Sequence, residues 1–270
     1  MQTTMFSPLP PEILDLIVDF LHNKRDALKA CCLVSKSWVH RTRKHIFAHV
    51  GFSSKFRIEL WKKTFPDPSN SPACYTRTLS ICAPAVVTSA DTGVGGWVRA
   101  FSGIARLHLD IRGFDDGRKI SFLPLHGLPP TLKSLRLTYK TSPPSSEIFG
   151  LVCSFPLLED LALVSFGSKI DVGEWNIPST SPKFTGCLDL WMVGGTRPIV
   201  HRLSELPGGF HFSKISVSCR EKDVGPMGDL VSKCSDTLES LNIYCVVGAI
   251  FLSVFTIGKY LIAICEHSSE

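Results

Sequence analysis

An apolar-x-apolar step recurs along this chain at nearly constant spacing, and no other feature restricts the fold as tightly. It occurs at Leu79/Ile81, Leu107/Leu109, Leu135/Leu137, Leu161/Leu163, Leu188/Leu190, Ile215/Val217 and Leu241/Ile243, with offsets of 28, 28, 26, 27, 27 and 26 residues. Alternation of apolar and outward-facing residues is the pattern of a strand buried on one face. A fixed period of this length marks stacked structural repeats, because one unit cannot bury its apolar edge alone. Ile104, Leu132, Leu158 and Leu238 extend the second, third, fourth and last steps by one more apolar position, three residues before the pair.

Parallel stacking of these strands sends both apolar residues of each step inward and their neighbours outward. The outward face then carries Arg106, His108, Asp110, Arg136, Asp160, Asp189, Trp191, Lys214, Asn242 and Tyr244. Trp191 has two readings: an exposed anchor for a partner, or a core residue if the sheet is irregular. Some returns between strands have helical spacing, namely Trp97, Val98 and Phe101; Ile148, Phe149, Val152 and Cys153; and Met227, Leu230, Val231 and Cys234. Other returns are loops rich in Pro, Gly and Ser.

The N-terminus follows a different period. Ile13, Leu14, Ile17 and Leu21 form one apolar stripe of a short helix, with Pro11 in its first turn. Asp26 is positioned to cap a second helix through Ala27, Leu28, Cys31, Cys32 and Leu33, and Ser35 a third carrying Trp38, Val39, Ile46 and Phe47. The joint apolar face exceeds what so small a module can bury, which leaves part of it for a partner helix. A bridging helix at about Lys55 to Lys63 and the run FPDPSNSP at 65–72 follow. The domain organisation expected is a helical module at 5–50, bridge and Pro-rich linker at 51–72, repeats at 73–244 and an apolar segment at 245–270.

Leu9-Pro10-Pro11-Glu12-Ile13-Leu14, then Cys32-Leu33-Val34-Ser35-Lys36-Ser37-Trp38, then Arg43-Lys44-His45-Ile46-Phe47 resemble the F-box, closest to the large F-box families of mushroom-forming fungi. The period behind them is similar to that of leucine-rich repeats. Arg112, Lys140, Phe166 and Arg220 stand where such repeats carry Asn or Cys, so an irregular solenoid is expected. The resemblance implies an α/β chain: a three-helix F-box and then a leucine-rich-repeat-like solenoid with a parallel sheet. It implies that Leu9, Pro10, Ile13, Leu14, Ile17, Leu33, Val34 and Trp38 bind a Skp-family adaptor, and through it a cullin. The chain would be a non-catalytic receptor of an SCF-type ubiquitin ligase. Its protein target would meet the outward face, with Arg106, His108, Asp110, Arg136, Asp189, Trp191 and Tyr244 as contacts. Two rival readings are a repeat scaffold with no ubiquitin role, its helices capping the first repeat, and a membrane-tethered adaptor.

Other chemistry is weakly supported. The formal charge of +5 is too slight to demand a nucleic-acid partner, and the basic cluster Arg41, Arg43, Lys44 and His45 lacks interleaved aromatics. No Gly-x-Ser-x-Gly elbow, phosphate loop or His-Glu-x-x-His run occurs, and adjacent Glu159 and Asp160 would face opposite ways along a strand. No cofactor is implied. His45 and His49 stand one helical turn apart but lack a third metal ligand. The ten cysteines include no Cys-x-x-Cys pair; Cys82, Cys153, Cys187, Cys219, Cys234 and Cys245 read as reduced core fillers, which fits the cytosol or nucleus. No secretory pattern opens the chain. The run from Cys245 to Cys265 holds a single charge, Lys259. It reads as buried closing structure over the last repeat, as a membrane anchor, or as an aberrant terminus.

Overall fold

A computed structural model of the chain describes residues 10–82, 97–112, 122–140, 145–165, 181–192, 196–209, 211–220, 224–247, 250–257 and 260–267. It is a mixed α/β structure. Three short helices come first: α1 (Pro11–Phe20), α2 (Arg25–Val34) and α3 (Lys36–Ile46). Ser35 caps α3, its hydroxyl accepting the Ser37 N–H at 3.3 Å. The expected cap on α2 is displaced by two residues. Lys24 precedes the helix, no side chain caps it, and Asp26 sits inside the first turn paired with Lys29 at 2.9 Å. There its charge still favours the positive end of the helix.

The helical module buries few residues: Val18, Leu28, Cys31 and Thr42. Thr42 is satisfied inside the helix, its hydroxyl donating to the Trp38 carbonyl at 2.7 Å, and Cys32 Sγ lies 2.8 Å from that hydroxyl oxygen.

The sheet begins earlier than the seven-step period implies. β1 (His49–Phe52) pairs in parallel with β2 (Thr78–Cys82), placing Val50 opposite Leu79 and Phe52 opposite Ile81. His49 is therefore a strand residue, and the helical spacing to His45 does not exist. The bridging helix is present as α4 (Lys55–Thr64), with Ser54 accepting the Arg57 N–H at 3.4 Å. Its Trp61 meets Phe52 and Phe101 at centroid distances of 5.6 and 5.9 Å, which fixes α4 against the first repeats.

β3 (Arg106–Ile111), β4 (Ser134–Tyr139), β5 (Asp160–Ser165), β6 (Cys187–Met192), β7 (Lys214–Arg220) and β8 (Ser240–Val247) continue the sheet in sequence order. Every neighbouring pair from β1 to β8 is parallel. Parallel neighbours require long crossovers, and α5 (Ser145–Cys153), α6 (Thr196–Ser204) and α7 (Val224–Lys233) lie in three of them. Two inward rows cross the sheet, buried throughout except for the half-buried Ile243. One runs Val50, Leu79, Leu107, Leu135, Leu161, Leu188, Ile215, Leu241; the other runs Phe52, Ile81, Leu109, Leu137, Leu163, Leu190, Val217, Ile243. Ile199, Val200 and Leu203 of α6 and Ile148, Phe149 and Val152 of α5 are buried in the same core.

The apolar C-terminal run is strand rather than helix. β9 (Ile250–Ile257) pairs antiparallel with β8, and β10 (Tyr260–His267) antiparallel with β9. Among the described residues no helix is long and apolar enough to cross a membrane.

Candidate functional site

Two surfaces stand apart from the core, and the first is apolar. α1 and the end of α2 expose Ile13, Leu16, Ile17, Phe20, Leu33 and Val34, with Phe20 81% and Leu33 89% accessible. Six exposed apolar side chains on two short helices make these helices a candidate interaction surface, since such exposure is more than ordinary scatter. Of the residues expected there, Pro10, Ile13, Ile17, Leu33 and Val34 are exposed; Leu14 and Trp38 are half-buried, and Leu9 lies outside the described residues. Leu16 and Phe20 belong to the surface although the single-stripe reading omits them. The signal was present, because the stretch from Ile13 to Val18 is apolar around most of its circumference.

Polar contacts beneath that surface hold α1 to α3. Asp19 accepts from Arg41 Nε at 2.7 Å and also contacts Arg41 Nη2, while its Oδ1 lies 2.7 Å from His45 Nε2. The hydrogen bond from Arg41, reinforced by His45, keeps the Asp19 carboxyl well below the usual carboxylate range. Two members of the expected basic cluster thus serve the module's own structure, leaving Arg43 and Lys44 exposed.

The second surface is the outward face of the sheet. Strand alternation and register place His108, Arg136, Ala162, Asp189, Ser216 and Asn242 in one row, and Asp110, Thr138, Val164, Trp191, Ser218 and Tyr244 in the next. Trp191 is on this face and 38% accessible, which decides against the core reading. It reaches over Ser218 to Tyr244, ring centroids 4.9 Å apart and planes at 32°. Ala162 separates Arg136 from Asp189, and its small side chain leaves Arg136 Nη1 3.9 Å from Asp189 Oδ2. Burial raises the Asp189 carboxyl above its ordinary value, against the opposing pull of Arg136 and of a hydrogen bond from Trp191. Asp110 is held by Arg112 through Nε at 2.9 Å.

Cys82 and Cys187 are also outward and exposed, contrary to the core-filler expectation. Alternation explains this: each occupies a strand position of the outward parity, and an apolar neighbour in sequence points the other way. Cys153 and Cys234 do lie inward, and burial pushes the Cys153 thiol up to about 11. Cys219 and Cys245 lie where no side chain is described. No group of three metal-ligating side chains occurs among the described residues.

No protein-family model matches this chain, and neither a curated protein nor a solved structure does.

Proposed function

We propose that this chain is the substrate-recognition subunit of an SCF-type ubiquitin ligase, with residues 10–46 as an F-box gripping a Skp-family adaptor and the strand array as a leucine-rich-repeat-like solenoid presenting a protein target. The observation that carries the reading is the exposure of Leu16, Ile17 and Phe20 on α1 and of Leu33 and Val34 on α2, the same short helices that resemble the F-box. Covering each such side chain contributes ~1.5–3 kcal/mol, so a helical partner gains most of its affinity here. Linkage to a cullin follows through the adaptor, and transfer chemistry belongs to other subunits. The cytosol or nucleus, where such ligases operate, is the setting proposed.

The test is direct binding of the purified full chain to a recombinant Skp-family adaptor. Alanine at Leu16, Phe20 and Leu33 together should weaken binding by about a hundredfold or more. An intact chain without affinity for the adaptor, or a triple variant with full affinity, overturns the assignment.

One observation favours the rival in which the helices cap the array. Ala48 O accepts the Arg77 and Thr78 N–H groups at 2.9 and 3.0 Å, and Tyr75 Oη lies 3.1 Å from His40 Nδ1, so the module is tied directly to the first strands. That tie leaves the apolar surface uncovered, which is why the adaptor reading is preferred.

A further inference from the structure

On the half of the outward face built on β1–β4, basic groups outnumber acids: His49, Arg106, His108 and Arg136 stand against Asp110. Register puts His49, Thr78, Arg106 and Ser134 in one row and Ser80, His108 and Arg136 in the next. Strands lie ~4.8 Å apart, so this cell is only ~14 Å across four strands. Among the described residues Arg106, His49 and His108 have no carboxylate partner, and the nearest to Arg136 is Asp189 at 3.9 Å. Of the other acids facing this region, Asp110 is paired with Arg112, while Asp160, beside Ser134 at the edge of the cell, keeps its charge and accepts the Cys187 N–H at 2.8 Å. Ser80 and Ser134, both half-buried, add hydroxyl donors around the same cell. Burial first, and then the charges of Arg136, Arg106 and His49, push the His108 imidazole below its ordinary value.

We propose that this cell receives an acidic, carboxylate-bearing segment of the target protein, with Arg106 and Arg136 as its charge contacts and His108 as an additional donor. The proposal rests on the reading of the outward face as the target surface. Two features select carboxylates on a peptide. The cations are spread along a strip rather than converging on one point, which suits several singly charged groups along an extended segment. No aromatic side chain other than imidazole lies within the cell, so bases would find no stacking platform there. The neighbouring aromatic pair at Trp191 and Tyr244 would take an apolar residue of the same segment.

The experiment uses the full chain and a fluorescein-labelled peptide of alternating glutamate and glycine, followed by polarisation at physiological salt. Arg106→Gln with Arg136→Gln should weaken binding about tenfold or more, while Arg43→Gln with Lys44→Gln, which removes the same charge from α3, should leave it unchanged. Absence of binding, equal loss in both double variants, or preference for a phosphoserine peptide or single-stranded RNA over the glutamate peptide each overturns the proposal. Failure here is separable from failure of the broader reading: if the acidic peptide does not bind but Trp191→Ala still releases proteins held by the wild type, the outward face remains the target surface without this specificity.

Discussion

Asp19 at the end of α1 accepts a hydrogen bond from Arg41 Nε of α3 at 2.7 Å, joining the first and third helices of a module that buries few apolar side chains. With so small a core, a charged contact carries an unusual share of the local stability. Asp19 is about a third accessible, so solvent screening reduces its worth to ~1 kcal/mol. Asp19→Asn should therefore speed hydrogen exchange of α1 amides about fivefold and leave the sheet amides unaffected. Equal exchange in variant and wild type would show that the contact adds nothing.

The pH dependence of that contact has a definite sign. The folded carboxyl lies below its usual range, so its contribution is complete above about pH 4, where an unfolded Asp is ionised, and is lost as pH falls further through the folded value. Between pH 5 and 8 Asp19 adds no slope to stability. The gap in α1 protection between wild type and Asp19→Asn should stay constant at about pH 5 and above and close in stronger acid; a gap that widens on acidification contradicts the assignment.

Trp191 and Tyr244 predict a separation of binding from folding. The pair adds ~0.5–1.5 kcal/mol through ring contact, yet lies on the outward face away from the two buried rows. Trp191→Ala should cost the fold little, shifting the thermal midpoint by a few degrees at most. Leu135→Ala, in the buried row, should cost ~2–5 kcal/mol. Target retention should follow the opposite order, reduced about tenfold by the Trp191 change. Comparable destabilisation by the two substitutions would place Trp191 in the core.

The strands were legible because the buried rows leave no freedom: each repeat must offer two inward apolar residues at the same register. β1 obeys that rule, since Val50 and Phe52 stand twenty-nine residues before Leu79 and Ile81. It was hidden by its position just behind a helix and across the end of the stretch that resembles the F-box. α6 was hidden differently. Pro198 and the glycines before it are loop signals, although Pro is tolerated in a first helical turn and Ile199, Val200 and Leu203 have helical spacing. The C-terminal run was ambiguous in principle, because a continuous apolar stretch has no period to separate strand from helix. On the candidate surfaces, apolar exposure depends on which side of α1 packs inward. The sequence pattern around Leu16 and Phe20 leaves that undecided, and the contact with α3 determines it.

Gly186 offers a further test of how closely the repeats stack. A Cβ built there would lie 2.1 Å from Asp160 Oδ1 and 3.1 Å from the Glu159 carbonyl oxygen. That space is occupied because Asp160 accepts the Cys187 N–H at 2.8 Å, and Gly186 N–H donates to Glu159 O at 3.1 Å. The missing side chain thus lets β6 approach the start of β5 closely enough for a carboxylate to enter the backbone ladder. Gly186→Ala must displace Asp160 and open both bonds, at a cost of ~1–3 kcal/mol. Combining it with Asp160→Ala removes the clashing carboxylate, so the double variant should be less destabilised than the sum of the two single changes. Strict additivity in urea midpoints would mean that the two residues do not meet as described.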